Sequence, residues 1–394
     1  MNGHVVIAPD KFRGSLTSPE VAGHVAAGLG DVPVVRLPVA DGGDGTIDAV
    51  VACGFERVEV EATGPAGEPV TASYAVRDEP GHGRVAVVEL AEASGLRRLP
   101  GGSGAGSGGG LAPLTATSRG TGDLIAHAVR HGATRVVLGL GGSACTDGGA
   151  GMVQALGVRL LDAAGAELPP GGAALRDLHE IDVSGCLRGF EVVVASDVDN
   201  PLLGPYGAAA VYAPQKGAGP ADVAVLEAGL ARLAAVAAHT HGLAGAAEHD
   251  GVVRSMGVAG MPGAGAAGGV GFAALAFLGA DLRPGIDYLL ELLEFDRHVR
   301  GARLVVTGEG SLDEQSLRGK APVGVASAAA RHGVPVVAVC GRRAVTGEEL
   351  KAAGIEAAYA LTDIEPDVER CMTEAGPLLE RLVRESVAVH LGRG

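Results

Sequence analysis

Acidic side chains follow several apolar segments of the sequence. Asp10 follows Val5–Ala8, and Asp41 and Asp44 lie in a glycine loop after Val34–Leu37. The other acidic residues in such positions are Asp147, Asp197, Asp199, Glu309 and Asp313. Carboxylates gathered at one place repel one another unless a divalent cation joins them, and Mg²⁺ binds one or two carboxylates together with phosphate oxygens. If these strand ends converge, the pattern indicates a magnesium-dependent phosphate site.

Glycine loops and basic side chains accompany these carboxylates. In Val136–Gly157, VVLGLGGSACTDGGAGMVQALG, a short apolar run enters a glycine-rich loop, which leads into a helix. A strand, a glycine loop and a helix N-terminus together present backbone N–H groups to an anion. The basic residues in or just after such loops are Lys11, Arg13, Lys216 and Lys320. Together these are the parts of a phosphoryl-transfer site.

Two named nucleotide motifs fit the sequence poorly. Gly139–Ala144 matches G-x-G-x-x-A after a strand, and Asp162 lies near the distance of a ribose-binding acid. The helix after this loop begins only near Met152, whereas the dinucleotide fingerprint opens its helix at once. A P-loop ending at Lys320 would need glycine where Glu314 stands. The sequence therefore disfavours both a dinucleotide site and a Walker A kinase.

The predicted elements that position these residues change character along the chain. The first 53 residues alternate strand and helix, which is typical of a parallel sheet, and this alternation returns near the C-terminus. From Arg57 to Leu90, strands follow one another without a helix, which favours an antiparallel or mixed sheet. A strand over Leu304–Thr307 is expected to end in a loop, Gly308–Asp313.

The predicted fold class is α/β with two domains. A discontinuous Rossmann- or flavodoxin-like parallel-sheet domain, 1–62 and 296–394, is interrupted by an inserted mixed α+β domain, 63–295, with a flexible Gly/Ser loop at 101–110. Ligands of open parallel sheets bind outside the carboxyl ends of the strands. We therefore expect the site in a cleft between the two domains.

Composition excludes several classes of protein. The formal net charge is −15, so the chain lacks the basic footprint of a nucleic-acid binder. No apolar run of about 18 residues suggests a membrane span. The five cysteines form no CxxC pair, which disfavours a disulfide framework or structural zinc. With no signal peptide in MNGHVVIAPD, we expect a cytoplasmic protein; assembly into a homo-oligomer is left open. Aromatic residues are only 3%, so Ala, Val and Leu must form the core.

Six sequence blocks resemble one known family. They are IAPDKFRGSL, LPVADGGDGT, LGLGGSACTDGGAGMVQALG, SDVDNPLLGPYGAAAVYAPQKGA, PGAGAAGGVGFA and TGEGSLDEQSLRGKAPVGVA, in this order. The sequence is similar to the bacterial glycerate kinases that are neither P-loop nor ribokinase-like enzymes. The resemblance implies ATP-dependent phosphorylation of D-glycerate, usually at the 2-hydroxyl, with Mg²⁺ as cofactor, by a protein of two α/β domains with a cleft.

On this hypothesis the residues fall into four sets. The catalytic residues are Asp197, Asp41 and Lys320. The substrate-binding residues are Asp10, Arg13, Ser15, Asp44, Asn200 and Lys216, with Arg13 or Lys216 on the glycerate carboxylate. The nucleotide- and phosphate-binding residues are Gly141, Gly142, Ser143, Asp147, Gly265, Gly308 and Gly310. The metal ligands are Asp197, Glu309 and Asp313.

The sequence departs from the family pattern at two places. Lys11 and Arg13 stand where the family usually has Ser and Lys, and Cys145 and Thr146 replace Thr and Asn. Arg13 keeps the positive charge and adds a planar fork suited to a carboxylate or phosphate. Two alternatives stay open: a kinase of another small hydroxy acid, and a non-catalytic sensor of a nucleotide or small acid.

Overall fold

The chain forms two compact units. The computed structural model describes residues 3–81, 83–100, 110–241, 246–249, 252–255 and 257–392. The first unit comprises Met1–Asp41, Asp48–Phe55 and Pro284–Gly394, and the second comprises Gly42–Ile47 and Glu56–Arg283. Each unit has its own sheet and its own apolar core.

The elements are as follows, in chain order. The strands are β1 (Val5–Pro9), β2 (Val34–Arg36), β3 (Glu56–Thr63), β4 (Pro69–Glu79), β5 (Gly83–Glu89), β6 (Ala133–Gly139), β7 (Arg159–Leu161), β8 (Glu180–Asp182), β9 (Glu191–Ala195), β10 (Ala246–His249), β11 (Val252–Ser255), β12 (Asp281–Arg283), β13 (Leu304–Leu312), β14 (Val336–Arg343) and β15 (Ala357–Ala360). The α-helices are α1 (Ser18–Leu29), α2 (Thr46–Ala52), α3 (Leu90–Ser94), α4 (Arg119–Arg130), α5 (Ala150–Ala155), α6 (Ala208–Tyr212), α7 (Pro220–His241), α8 (Ala266–Leu278), α9 (Gly285–Leu292), α10 (Phe295–Val299), α11 (Ala321–Ala330), α12 (Gly347–Ala352), α13 (Val368–Thr373) and α14 (Ala375–Leu382). Short 3₁₀ helices cover Leu96–Arg98, Gly172–Asp177, Pro214–Lys216, Gly257–Gly260, Ser316–Arg318, Leu361–Asp363 and Ala388–Gly392, and a π-helix covers Val383–Val387.

The first unit is built on a five-stranded parallel sheet in the order β15-β14-β13-β1-β2. β1 is the run VVIAP, and every one of its residues is buried. A strand that is covered on both faces needs such a continuous apolar run, because neither face meets water. In the parallel register Pro9 pairs with Gly308, so residues 10 and 309 follow at the same edge of the sheet.

The second unit contains a six-stranded mixed sheet in the order β12-β9-β6-β5-β4-β3. Strands β12, β9, β6 and β5 run parallel to one another, whereas β4 and β3 continue the sheet in antiparallel fashion. Glu89 pairs with Gly139, and Gly139 pairs with Ala195. This register aligns the carboxyl ends of β5, β6 and β9 at one edge. β7 pairs with β8, and β10 pairs with β11, in two short antiparallel ribbons.

Small aliphatic side chains fill both cores, as the low aromatic content predicts. In the first unit, valines of β1, β13 and β14 pack with leucines of α1 and α14. In the second unit, β5, β6 and β9 pack with α4, α5 and the alanine-rich helices α7 and α8. The predicted core of Ala, Val and Leu is therefore confirmed.

The predicted α/β class is confirmed by the parallel and mixed sheets, but one predicted loop is wrong. The strand does not end at Thr307, because β13 continues to Leu312. Its neighbour β14 supplies the reason, since it pairs with β13 as far as Leu312. Gly308 is a strand residue here, and its lack of a side chain allows close packing: a Cβ on Gly308 would lie 2.2 Å from the carbonyl oxygen of Val339.

The compact units differ from the predicted domain boundaries at the edges. β3 pairs with β4 along its length, so residues 56–62 lie in the second unit. Residues 284–295 lie in the first unit. Residues 101–109 of the predicted Gly/Ser loop lie outside the described residues. The division into a terminal domain and an inserted domain stays a prediction.

Candidate active site

Three predicted site residues come together at the carboxyl edge of the first unit's sheet. Asp10 and Glu309 follow the paired residues Pro9 and Gly308, and the N–H of Asp10 donates to the carbonyl oxygen of Gly308 at 2.8 Å. Asp41 lies close enough to Asp10 and Glu309 for its charge to raise the pKa of both. Three acidic residues therefore lie close together: Asp10 directly after β1, Asp41 in the segment after β2, and Glu309 within β13, just beyond its pairing with β1.

The positive charge and the hydrogen-bond donor beside Asp10 do not fully compensate the burial of its carboxylate. Burial, followed by the charge of Asp41, raises the pKa of Asp10 to about 7. Lys11 opposes this shift through its charge, and its backbone N–H donates to Asp10 Oδ1 at 2.7 Å. These two contributions do not offset burial, so the carboxylate form is disfavoured until a further positive charge approaches.

The carboxylate of Glu309 is also buried with too little compensation from donors and positive charge. Among the described residues, its buried Oε1 has no hydrogen-bond partner. Burial raises the pKa of Glu309 to about 7, although Ser316 and the positive charge of Lys320 lower it. A buried carboxylate oxygen without a donor is a suitable ligand for a hard cation, which prefers oxygen. The residues present thus fit Mg²⁺ at Glu309.

Asp313 and Lys320 form part of the turn that follows β13. Asp313 Oδ1 accepts from the backbone N–H of Gln315 at 2.9 Å and of Ser316 at 3.4 Å. Lys320 Nζ donates to the side-chain oxygen of Gln315 at 3.1 Å, and Lys320 directly precedes α11. The carboxylate of Asp313 therefore stabilises the turn, while Lys320 supplies positive charge near Glu309.

The remaining predicted residues of the first unit lie on the segment after β1. Ser15 Oγ donates to the carbonyl oxygen of Phe12 at 3.1 Å. Arg13 is exposed. Gly310 lies against the same segment, because a Cβ there would be 3.0 Å from the backbone nitrogen of Arg13. The structure thus leaves Arg13 accessible to a ligand and uses Ser15 within its own turn.

In the second unit, the segment Gly42–Ile47 packs on the carboxyl ends of two strands. A Cβ on Gly42 would lie 2.4 Å from the carbonyl oxygen of Ala195, and a Cβ on Gly139 would lie 2.4 Å from the carbonyl oxygen of Gly42. A Cβ on Gly141 would lie 2.4 Å from the Cα of Gly43. The glycines at these positions allow backbone to pack on backbone, which brings Asp44 near the start of the Gly141 loop.

Two residues that the sequence analysis did not identify hold this segment. Glu89 ends β5 with 1% exposure, and its Oε2 accepts from the backbone N–H of Gly45 at 3.1 Å and of Ile47 at 3.3 Å. Arg97 forms ion pairs with Asp44 and with Glu89, the latter at 3.8 Å between Nη2 and Oε1. Glu89 is a carboxylate at a strand end like the others. It was missed because the strand was predicted to continue to residue 90.

Asp147 is buried inside the glycine loop, and its acceptor capacity is used there. Its Oδ2 accepts from the backbone N–H and the hydroxyl of Ser118, both at 2.8 Å, and from the N–H of Gly151 at 3.2 Å. Its Oδ1 accepts from the N–H of Gly149 at 3.1 Å. With 0% exposure, this side chain fixes the loop and the start of α5 rather than facing solvent.

Lys216 is buried beside the same loop. Its Nζ donates to Ser143 Oγ at 2.8 Å and to the carbonyl oxygen of Cys145. Burial lowers the pKa of Lys216, and it raises the pKa of the nearby Cys145 thiol. The amine is thus directed into the loop, and only 2% of the residue is exposed. Arg13 is therefore the more accessible of the two cations predicted for the glycerate carboxylate.

Two of the other predicted residues of the second unit, Asp197 and Asn200, lie in the segment after β9. Asp197 is exposed. Two hydrogen bonds hold the side chain of Asn200. Its amide nitrogen donates to the carbonyl oxygen of Tyr206 at 2.8 Å, and its oxygen accepts from the Tyr212 hydroxyl at 2.6 Å. The N–H of Gly265 donates to the backbone oxygen of Asn200 at 2.9 Å. In the Gly141 loop, Gly142 adopts φ 71° and accepts from the N–H of Leu96 at 2.8 Å.

The predicted metal set of Asp197, Glu309 and Asp313 is distributed over both units. Over the ranges that the structure describes, no group of three or more His, Cys, Asp or Glu side chains is placed to hold a metal ion. Asp313 is engaged in its turn, which leaves Glu309 as the ligand best supported by the geometry.

Comparison with known proteins identifies the family. The family model described as "Glycerate kinase family" matches residues 5–391. Glycerate kinase of Bacillus subtilis is 42% identical over 98% of this chain and 97% of its own length. Glycerate 2-kinase of Escherichia coli is 43% identical over 86% of this chain and 84% of its own length. The chain belongs to the glycerate kinase family, and the prediction of a kinase enzyme is confirmed.

A solved structure agrees with this assignment. The crystal structure described as glycerate kinase 2 from Salmonella typhimurium LT2 superposes with a TM-score of 0.81 and 39% sequence identity. It covers 99% of this chain and 98% of that chain. Within the described residues, no helix combines the length and the apolar character that crossing a membrane would need.

Proposed function

We propose that this enzyme transfers the γ-phosphoryl group of ATP to D-glycerate and forms 2-phospho-D-glycerate. The name of the Escherichia coli relative supports the 2-hydroxyl as acceptor. The observation that carries the proposal is the pair of Asp10 and Glu309 beside Asp41, because the burial of these two carboxylates is not offset by the positive charge and the donors around them. Mg²⁺ bound with ATP would supply the missing positive charge, and one of these carboxylates would orient the hydroxyl of the substrate.

In the first unit, Glu309 would hold Mg²⁺ through its unpartnered oxygen. When bound, Mg²⁺ would neutralise charge on the phosphate oxygens during transfer. Asp41 would orient the attacking hydroxyl and Asp10 would contact the substrate. Lys320 would stabilise the charge of the transferring phosphoryl group, since it already lies close enough to Glu309 to lower its pKa. Arg13, which is exposed, would pair with the glycerate carboxylate.

In the second unit, the backbone of Gly141 and Gly142 would receive phosphate, with Asp44 and the exposed Asp197 directed at the ligands. We propose a changed role for Asp147 and Lys216: they hold the loop rigid, because their polar atoms already bond within it. Rigid donors that point at developing charge need no reorganisation during the reaction.

Four further parts of the proposal are predicted from the sequence. The terminal domain, 1–62 and 296–394, and the inserted domain, 63–295, are supported by the terminal segments of the chain that join in the first unit. The cleft between them and the cytoplasmic location stay predictions. We expect no nucleic-acid partner, because the net charge is −15.

A coupled assay of ADP release tests the reaction. Purified protein with Mg²⁺–ATP should turn over D-glycerate faster than L-glycerate, lactate or hydroxypyruvate, and chelation with EDTA should abolish turnover. Phosphorus NMR of the product distinguishes 2-phosphoglycerate from 3-phosphoglycerate. Absence of D-glycerate-dependent ADP release would refute the proposal, and a faster reaction with another hydroxy acid would reassign the substrate.

The variant Asp197→Asn tests the second unit's contribution. If Asp197 orients the reacting groups, most of kcat should be lost while the melting temperature stays near that of the wild type, because the residue is exposed. Turnover near the wild-type value would remove Asp197 from the site.

A further inference from the structure

Glu89 stands out among the buried charged residues because only half of its carboxylate is satisfied. Asp147 accepts four hydrogen bonds, and Lys216 donates two. Glu89 is just as buried, but both of its hydrogen bonds reach one oxygen, Oε2. Within the described part of the chain, Oε1 has no hydrogen-bond partner.

The two N–H groups that Glu89 accepts belong to the start of α2. Gly45 directly precedes this helix and Ile47 is its second residue. N–H groups at the beginning of a helix have no partner within the helix and need an acceptor from elsewhere. Glu89 provides that acceptor from the end of β5, so one carboxylate oxygen connects the sheet edge to the segment Gly42–Ile47.

Glu89 also lies in the row of residues from which the predicted ligand-binding loops emerge. It pairs with Gly139, and Gly139 pairs with Ala195. The predicted phosphate loop begins two residues after Gly139, at Gly141, and the exposed Asp197 comes two residues after Ala195. A shift of Glu89 would therefore move Asp44 relative to both.

We propose that Glu89 is a positioning residue, which holds Gly42–Ile47 over the ends of β5, β6 and β9 and thereby sets the place of Asp44 for glycerate. The inference rests on the proposed function, because it assumes that Asp44 contacts glycerate. Arg97 assists from outside, since it pairs with Asp44, Glu89 and Glu92. The side chains of Asp44, Glu89 and Glu92 thus share the guanidinium of Arg97. The position of Asp44 therefore depends on the position of Glu89.

The role depends on the acceptor oxygen rather than on the negative charge. Burial, followed by the charge of Asp44, raises the pKa of Glu89 to about 8 even though Arg97 lowers it, so the surroundings do not favour the negative charge. A glutamine has the same shape and keeps an oxygen for the two N–H groups, whereas alanine removes the acceptor and leaves both donors buried without a partner.

Steady-state kinetics of three variants test the proposal. Glu89→Ala should raise KM for D-glycerate about tenfold and lower kcat about tenfold, because a small displacement of a binding group has effects of this size. KM for ATP should change less than about twofold, and Glu89→Gln should restore most of both parameters. Glu92→Ala is the matched control, because Glu92 pairs with the same Arg97 but accepts from the N–H of Ser73, which lies on β4 and not in Gly42–Ile47.

Several outcomes would overturn the proposal. Equal rises in KM for glycerate and ATP would show a general structural role. Damage by Glu89→Gln as large as by Glu89→Ala would show that the charge matters, and kinetics of Glu89→Ala equal to those of Glu92→Ala would show no role. If Glu89→Ala does not fold, Glu89→Asp makes the same test by shortening the side chain. An inactive wild type would overturn the proposed function as well, whereas an active wild type with unaffected Glu89 variants would overturn this inference alone.

Discussion

Asp147 in the second unit behaves in the opposite way to Asp10 and Glu309 in the first unit. Asp10 and Glu309, at the edge of the parallel sheet, have pKa values raised to about 7 by burial. Asp147, in the glycine loop of the mixed sheet, is more deeply buried but accepts four hydrogen bonds from backbone and hydroxyl donors. Hydrogen-bond donors decide the difference between these residues: Asp147, whose lone pairs are used, stabilises the fold, whereas Asp10 and Glu309 have too few donors and are available to a ligand.

Of the substitutions that test this difference between the carboxylates, a change at Glu309 should have the largest effect on activity. Glu309→Gln should lower kcat about a thousandfold, because it removes the charge proposed to hold Mg²⁺ opposite the phosphate. The melting temperature should not fall, since burial disfavours the charged form of Glu309. Initial rates at saturating Mg²⁺ and thermal unfolding check both. The control Asp313→Asn should affect kcat far less, because Asp313 is engaged in its turn; equal losses would show that both bind the metal.

The reverse pattern is expected at Asp147. Asp147→Asn should lower the free energy of unfolding by about 3 kcal/mol, because the amide presents N–H groups to backbone donors that had a charged acceptor. Urea unfolding measures this loss. KM for ATP of the folded variant should stay within about threefold of the wild type. A stable variant with greatly weakened ATP binding would instead place Asp147 on the nucleotide.

The pH dependence of activity should report the first unit's carboxylates. Since Asp10 and Glu309 both have pKa values of about 7 and both act as carboxylates in the proposal, kcat/KM should rise more than about tenfold per pH unit below pH 7, approaching about a hundredfold, and level off above it. A profile from pH 5 to pH 9 measures this limb. An acid limb centred near pH 4 would mean that neither raised pKa controls the reaction in the free enzyme.

The smallest effect is expected in the stability of Asp10→Asn. The pKa of Asp10 rises on folding from 3.8 to about 7, so the folded state binds more protons and this group's contribution to stability falls as pH rises through that window. The variant should therefore melt a few degrees higher than the wild type at pH 8. The difference should narrow as the pH falls toward 4. A variant that melts lower at pH 8 would show that the charge of Asp10 stabilises the fold.

The sequence alone predicts the strands well where burial dictates composition. VVIA near the N-terminus has no polar position, and the structure confirms it as a strand buried on both faces. The end of β13 could not be predicted in the same way. Gly308 and Gly310 suggest a loop by local preference, but β14, far away in sequence, supplies pairing partners that extend the strand.

The candidate site shows the same limit. The position of Asp10 after a strand predicts that it lies at a sheet edge, and the structure agrees. The use of Asp147 could not be foreseen, because its main donor, Ser118, lies 29 residues earlier in the chain. Glu89 could have been identified by the rule applied to the other carboxylates, if the strand had been ended one residue sooner. The roles proposed for these residues remain predictions.

The position of β1 between β13 and β2 in its sheet has a consequence for biosynthesis. Ala8 accepts a hydrogen bond from Thr307, 299 positions later. At about 5–20 residues per second, the ribosome takes about 15–60 s to make the intervening chain. During this time β13 has not yet been synthesised, so the apolar β1 lacks this neighbouring strand. The pairing of β1 with β13 therefore forms only late in translation. A chaperone that binds short apolar strands would have the longest time to bind at the N-terminus of this chain.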